Sequence, residues 1–121
     1  MATVLIVDDS KTSRRILGDI LRAMELEVIG EAVNGDEGFQ KYKELKPDLV
    51  TMDITMPVMS GLDALLLIKR ENPEAKVVMI TAAGQKANLV RAVKAGAEEF
   101  ITKPLEEDEI RRVIGRILSG M

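Results

Sequence analysis

The stretch VLIVDDS, residues 4–10, runs four apolar residues directly into two adjacent carboxylates. Val4, Leu5, Ile6 and Val7 leave no polar face. A strand reads this way when both of its faces are covered, as in a parallel sheet with helices on either side. Asp8 and Asp9 then stand at the carboxyl end of that strand, and in open parallel sheets that edge is where ligands bind.

Working outward, five strand-like runs alternate with five helix-like ones: Thr3 to Val7, Glu27 to Ala32, Asp48 to Met52, Lys76 to Thr81 and Glu98 to Thr102 are short and end in turn signals. Between them the apolar spacing changes to three-and-four. Ile16, Leu17, Ile20, Leu21 and Met24 form one stripe and Ile110, Val113, Ile114, Ile117 and Leu118 another, each expected to face a core. Asn34, three residues before Glu37, has the spacing of an N-cap with its capping-box partner, and Pro47 follows the end of that helix. Ser60 caps the third helix, Asn72-Pro73 ends it, and Gly96 closes the fourth as a C′ glycine. Strands separated by such helices need right-handed crossovers, which gives an α/β fold of three layers around one parallel sheet.

The 121 residues suit one domain with a real core. A net charge of −3 supplies no basic stripe for nucleic acid. No cysteine is present, so there is neither a disulfide nor a thiolate metal site. Without histidine, the usual general base and the commonest nitrogen ligand are missing too. Chemistry here must use carboxylate, hydroxyl and amine. No apolar run approaches membrane-spanning length and no leader pattern opens the chain, so the expected location is the cytoplasm, without membrane contact.

Most of the strands finish beside a reactive group: Asp8 and Asp9 after the first, Asp53 in VTMDITMP, Thr81 in VVMITAAG, and Lys103 in FITKP. If the first and third strands are neighbours, three carboxylates converge. Two such charges about 4 Å apart repel by roughly 4 kcal/mol at an effective dielectric of about 20, and a divalent cation relieves that. An all-oxygen ligand set suits Mg²⁺, with Mn²⁺ as a substitute, and Mg²⁺ commonly bridges carboxylate and phosphate. Asp53 can then attack phosphorus as a carboxylate nucleophile, with Lys103 and Thr81 on the phosphoryl oxygens.

Asp8-Asp9, Asp53 with Met56-Pro57 behind it, Thr81 followed by Ala82, and Lys103-Pro104 occur in the order and spacing of one family. Along its whole length the sequence resembles the receiver domain of two-component response regulators, most of all the stand-alone chemotaxis type. The resemblance implies a flavodoxin-like (βα)5 sandwich with strand order 2-1-3-4-5, an order that alternation alone does not determine. It implies that residues 1–121 are a single receiver domain without an output domain. Asp53 would accept a phosphoryl group from a separate histidine kinase. Asp9 and Asp53 would bind Mg²⁺ directly, Asp8 through a water, and the backbone carbonyl of Thr55 would complete the protein ligands. Thr81 and Phe100 would form the switch, the Lys103-Pro104 bond would be cis, and the fourth helix, fifth strand and fifth helix would form the output face. The implied partners are the kinase, a flagellar motor switch protein or other target, and a phosphatase; no turnover of an external substrate is implied. Phe100 stands where many chemotaxis regulators carry tyrosine. Thr55 and Ala83 occupy the two positions that tune phosphoryl lifetime in the family.

Plainer roles compete at several positions. Asp8 and Asp9 can merely complement a helix dipole, a role worth about 0.3 to 1 kcal/mol. Thr81 can be an ordinary strand residue, Lys103 a solvated lysine, and Pro104 the N1 residue of the fifth helix. Phe100 can be static filling between sheet and helices. Met52, Met56, Met59 and Met79 read as adaptable core or loop filling, and the acidic run at 106–109 as a solvated first turn. Among other functions, a single-domain phosphorelay intermediate is the main rival. A Mg²⁺-dependent phosphatase with an aspartyl nucleophile needs a second aspartate where Ser10 stands, and a flavin phosphate would be repelled by Asp8 and Asp9.

Overall fold

The computed structural model describes residues 1–82 and 84–121; Ala83, one of the two positions linked by resemblance to phosphoryl lifetime, lies outside them. The elements are β1 (Thr3–Val7), α1 (Lys11–Ala23), β2 (Glu27–Ala32), α2 (Gly35–Leu45), β3 (Leu49–Asp53), α3 (Gly61–Glu71), β4 (Val77–Thr81), α4 (Lys86–Lys94), β5 (Glu99–Thr102) and α5 (Glu107–Ser119). The sheet is parallel throughout, with order β2-β1-β3-β4-β5. This is the flavodoxin-like arrangement that the resemblance implies. It makes β1 and β3 neighbours, with Val7 paired to Met52, so the acids that follow each strand emerge side by side.

The unbroken apolar runs of the central strands split by alternation into two cores. Val4, Ile6, Leu49, Val78 and Ile80 pack with Leu17 and Leu21 of α1 and with Ile110, Val113, Ile114 and Ile117 of α5. Leu5, Val7, Val50, Met52, Val77 and Met79 pack on the opposite face with Tyr42 of α2, Ala64, Leu65 and Ile68 of α3, and Ala92 of α4. Each fully buried aliphatic side chain contributes about 1.5 to 3 kcal/mol relative to exposure, so the strands hold the sheet between its two helix layers from both sides. Met52, Met56 and Met79 are buried and Met59 packs against the core, consistent with their reading as filling.

The caps occur where the sequence places them. Asn34 accepts a hydrogen bond from the Glu37 amide at 2.8 Å, and Ser60 accepts one from the Asp63 amide at 3.2 Å. The reciprocal half of the capping box is not made; the Glu37 carboxylate pairs instead with Lys41, one turn on, at 3.4 Å. Asn72 is the C-cap of α3, and Gly96 follows α4 with a φ of 102°, a left-handed conformation that costs glycine little.

Several details differ from the sequence reading. β3, β4 and β5 each begin one residue later than expected. The Asp48 amide is engaged by the Thr3 hydroxyl at 2.9 Å, while Lys76 and Glu98 pair with each other at 3.6 Å at the amino edge of the sheet. Ile16 does not face a core: it is exposed on the outer side of α1, whose buried stripe is carried by Leu17 and Leu21. Pro104 is not the N1 residue of a helix, because α5 starts only at Glu107. The acidic run is not merely solvated, since the Glu109 carboxylate accepts from the Thr102 amide and hydroxyl, both at 3.3 Å. Phe100 does not fill the interior. On the edge strand β5, Ile101 takes the buried position and Phe100 points the other way, 41% exposed.

Candidate functional site

The carboxyl edge of the sheet gathers the reactive side chains. Asp8 leaves β1, its amide held by the Ala32 carbonyl of β2 at 3.0 Å and its Oδ1 accepting from the Ser10 amide at 2.8 Å. Arg14 reaches back from α1 and donates from Nη1 to the Asp8 carbonyl at 2.8 Å, while its Nε pairs with Glu31 at 2.9 Å. The loop carrying both acids is therefore held from β2 and from α1. Asp53 is the last residue of β3, and its exit is shaped by Gly61. A Cβ on Gly61 would lie 1.8 Å from the Asp53 carbonyl oxygen, so only glycine lets α3 begin this close to the strand. The Gly61 amide also donates to the Ile54 carbonyl at 2.7 Å.

Asp8, Asp9 and Asp53 each present a carboxylate oxygen within 4.8 Å of the others'. Asp8 and Asp53 are buried and Asp9 is exposed, so the cluster opens to solvent on the Asp9 side. Lys103 enters from beyond β5, its Nζ 3.3 Å from Asp8 Oδ2 and 3.7 Å from Asp53 Oδ2. The Lys103-Pro104 peptide bond is cis. Thr81 ends β4 and is buried, paired across the sheet with Thr102.

Electrostatics follow from this crowding. The Asp53 carboxyl is pushed up to about 6 from an ordinary 3.8. Burial is the largest cause and the charge on Asp8 the next; Lys103 opposes them, Asp9 adds to them, and a hydrogen bond from the Ile54 amide opposes them slightly. Asp8 Oδ2 is wholly buried and accepts no hydrogen bond among the described residues, although the Lys103 charge is near. An orphaned buried oxygen, in a set of carboxylates with no nitrogen or sulfur donor, fits a hard divalent cation held by oxygen.

Comparison with known proteins agrees with this geometry. The family model described as "Response regulator receiver domain" matches residues 4–115. The chain belongs to the response regulator receiver family. This receiver is 48% identical over 114 residues to the chemotaxis protein CheY of Thermotoga maritima, covering 94% of the chain and 95% of that protein. Against CheY of Bacillus subtilis it is 45% identical over 116 residues, covering 96% and 97%. Its fold superposes with a TM-score of 0.92 on a chain from the CheX-CheY-BeF3-Mg2+ complex of Borrelia burgdorferi, at 34% identity, covering 97% of this chain and 89% of that one.

Asp8, Asp9, Asp53, Thr55, Thr81, Lys103 and Pro104 lie at this one edge, and Phe100 sits beside it on the outer side of β5. Thr55 follows β3, and its hydroxyl is joined to the Gln85 side chain. Three residues of the receiver's site were not singled out by the sequence reading: Arg14, Gly61 and Gln85. Arg14 sits six residues after Asp8, a spacing that no capping template covers. Gly61 reads as an ordinary helix start, since its close approach is to a residue on another element. Gln85 carries no local signal at all.

Proposed function

We propose that this receiver is a phosphorylation-dependent switch in which Asp53 accepts a phosphoryl group from a phosphohistidine on a separate kinase. The observation that carries the proposal is the gathering of Asp8, Asp9 and Asp53 within 4.8 Å, with Lys103 paired to two of them. These 121 residues contain no histidine, so the donor imidazole lies outside them. Asp9 and Asp53 would hold Mg²⁺ directly, Asp8 through a water, and Thr55 through its backbone carbonyl; the ion, when bound, supplies charge stabilisation to the phosphoryl oxygens.

The rest of the chemistry belongs to the chain. A carboxylate oxygen of Asp53 bonds to phosphorus as the P–N bond breaks; the imidazole nitrogen leaves with the electron pair and is protonated by solvent. Burial keeps Asp53 dry, and the Lys103 ammonium neutralises a phosphoryl oxygen. Water later releases inorganic phosphate and restores the carboxylate, so no external substrate is turned over. The acyl phosphate brings up to about two negative charges and strong acceptors, and charge-assisted hydrogen bonds contribute roughly 1.5 to 3 kcal/mol each. Bonds from Lys103, Thr81 and a loop amide, formed mainly in the active conformer, can supply the ~5.5 kcal/mol that inverts a 1:99 population. Thr81 and Phe100 relay the change to the face of α4, β5 and α5, where Val90, Val93 and Phe100 are exposed apolar residues.

The similarity to chemotaxis regulators supports a target in flagellar motor control and a place in the cytoplasm, with residues 1–121 acting as one receiver domain. No helix among the described residues is long and apolar enough to cross a membrane. The relative seen in a CheX-CheY complex supports a further protein partner, and a phosphatase is the one expected. Incubating the protein with Mg²⁺ and a chemotaxis-type histidine kinase carrying labelled phosphohistidine tests the assignment. Label should pass to the wild type and not to Asp53→Asn; label that stays on the kinase, or passes to both, contradicts it. Onward transfer to a second histidine protein would favour the phosphorelay role.

A further inference from the structure

Gln85 is the N-cap residue of α4, yet its side chain makes no capping bond to the helix. It turns instead toward the sheet edge. Its Oε1 accepts from the Ala82 amide at 2.9 Å and from the Thr81 hydroxyl at 3.3 Å. Its Nε2 donates to the Thr55 hydroxyl. The orientation of the amide is not arbitrary: a backbone N–H can only donate, so the atom facing Ala82 must be the oxygen, and the nitrogen must face Thr55. One side chain thus ties the segment after β4 to the segment after β3, across the rim of the acidic cluster.

We infer that the Gln85 carbonyl is a stand-in for a phosphoryl oxygen, holding the Thr81 hydroxyl and the Ala82 amide in the unphosphorylated state and giving them up when Asp53 is modified. The inference rests on the receiver reading above and extends it to a residue that reading does not use. The Thr81 hydroxyl is buried, where a donor left unpaired carries a desolvation cost, and the exposed Ala82 amide is held by the same oxygen. The hydroxyl has one proton, and the Ala82 carbonyl at 3.2 Å is its alternative acceptor; both contacts are long for an O–H donor, so the hydroxyl is weakly held and easily exchanged. The Thr55 bond gives Gln85 a second role, since it fixes the amide where both donors can reach it. Gln85 is accordingly a positioning residue that sets the resting state of the switch rather than one that touches the phosphoryl group.

A side chain that merely supported the loop and a side chain that competes with phosphate have opposite effects when removed. Beryllofluoride with Mg²⁺ serves as the probe, its affinity read by titration for wild type, Gln85→Met and Gln85→Leu. Both variants keep bulk and remove the amide, and thermal unfolding confirms that each is folded. Exchange of one or two net hydrogen bonds predicts that the variants bind beryllofluoride roughly 3- to 30-fold more tightly than wild type. The Ala82 amide resonance of the unliganded variants should also move toward its position in the wild-type complex. Unchanged or weaker binding by both folded variants, with an Ala82 resonance that stays in place, overturns the inference while leaving the receiver reading intact. A wild type that binds no beryllofluoride in Mg²⁺ overturns both.

Discussion

At the scale of single residues, the site is a problem of unbalanced charge. Asp53 is an acid whose proton is held more tightly in the folded state, with a pKa of about 6 against 3.8 ordinarily. Between those values the folded protein binds more protons than the unfolded chain, so stability from this group is complete below pH 4 and is lost as pH rises through about 6. Asp53→Asn removes the cost. In metal-free buffer the variant should gain up to about 3 kcal/mol over wild type at pH 8 and little at pH 4, as read from urea unfolding at each pH. Parallel stability profiles would contradict the assigned cause. Lys103 opposes the shift, so in Lys103→Met the Asp53 carboxyl should titrate above its wild-type midpoint, a difference visible in the carboxyl carbon resonance. The direct approach of Lys103 Nζ to Asp8 Oδ2 and Asp53 Oδ2 is the reason.

At the scale of elements, position is set by the junctions between strands and helices. α3 begins against the backbone of Asp53 because residue 61 is glycine. Gly61→Ala should destabilise the protein by about 3 kcal/mol or more, measured by denaturant unfolding, because its Cβ would meet backbone rather than a flexible side chain. The cap at Asn34 is a useful contrast. It caps α2 and its side chain bonds to the Glu37 amide, not to any of the acids, and Asn34→Ala should cost about 1 kcal/mol while leaving the rate of phosphorylation unchanged. Local capping signals of this kind were legible in the sequence, since a cap and its partner lie three residues apart. The Gly61 contact was not, because its two partners belong to different elements and meet only after β3 and α3 have packed. Pro104 misleads for a similar reason: a proline permitted at N1 is also permitted in the connection before α5, and local rules do not choose between them.

At the scale of the whole molecule, the parallel sheet was legible because buried strands with two covered faces leave continuous apolar runs, as VLIV does before Asp8 and Asp9. Strand order was not contained in that alternation and came from the family resemblance. The acids, Thr81 and Lys103 were legible as a set because parallel strands send all their carboxyl ends to one edge. Phe100 was ambiguous, since an aromatic in a short run fits either face of an edge strand, and only the position of α4 and β5 decides that it is exposed. Gln85 was illegible because its partners lie on two loops. A cation that binds the assembled cluster and not the unfolded chain must stabilise the fold, by about 2.7 kcal/mol at one hundred times its dissociation constant. Mg²⁺ should therefore raise the melting temperature of wild type and leave Asp9→Asn nearly unmoved in a thermal scan.

The most direct test of the central claim is to treat the folded protein with acetyl phosphate and Mg²⁺ and map the modified residue by peptide mass spectrometry. The expected result is a single phosphoryl group on Asp53, absent when Mg²⁺ is chelated. A protein that stays unmodified, or that is modified elsewhere with Asp53 free, would contradict it.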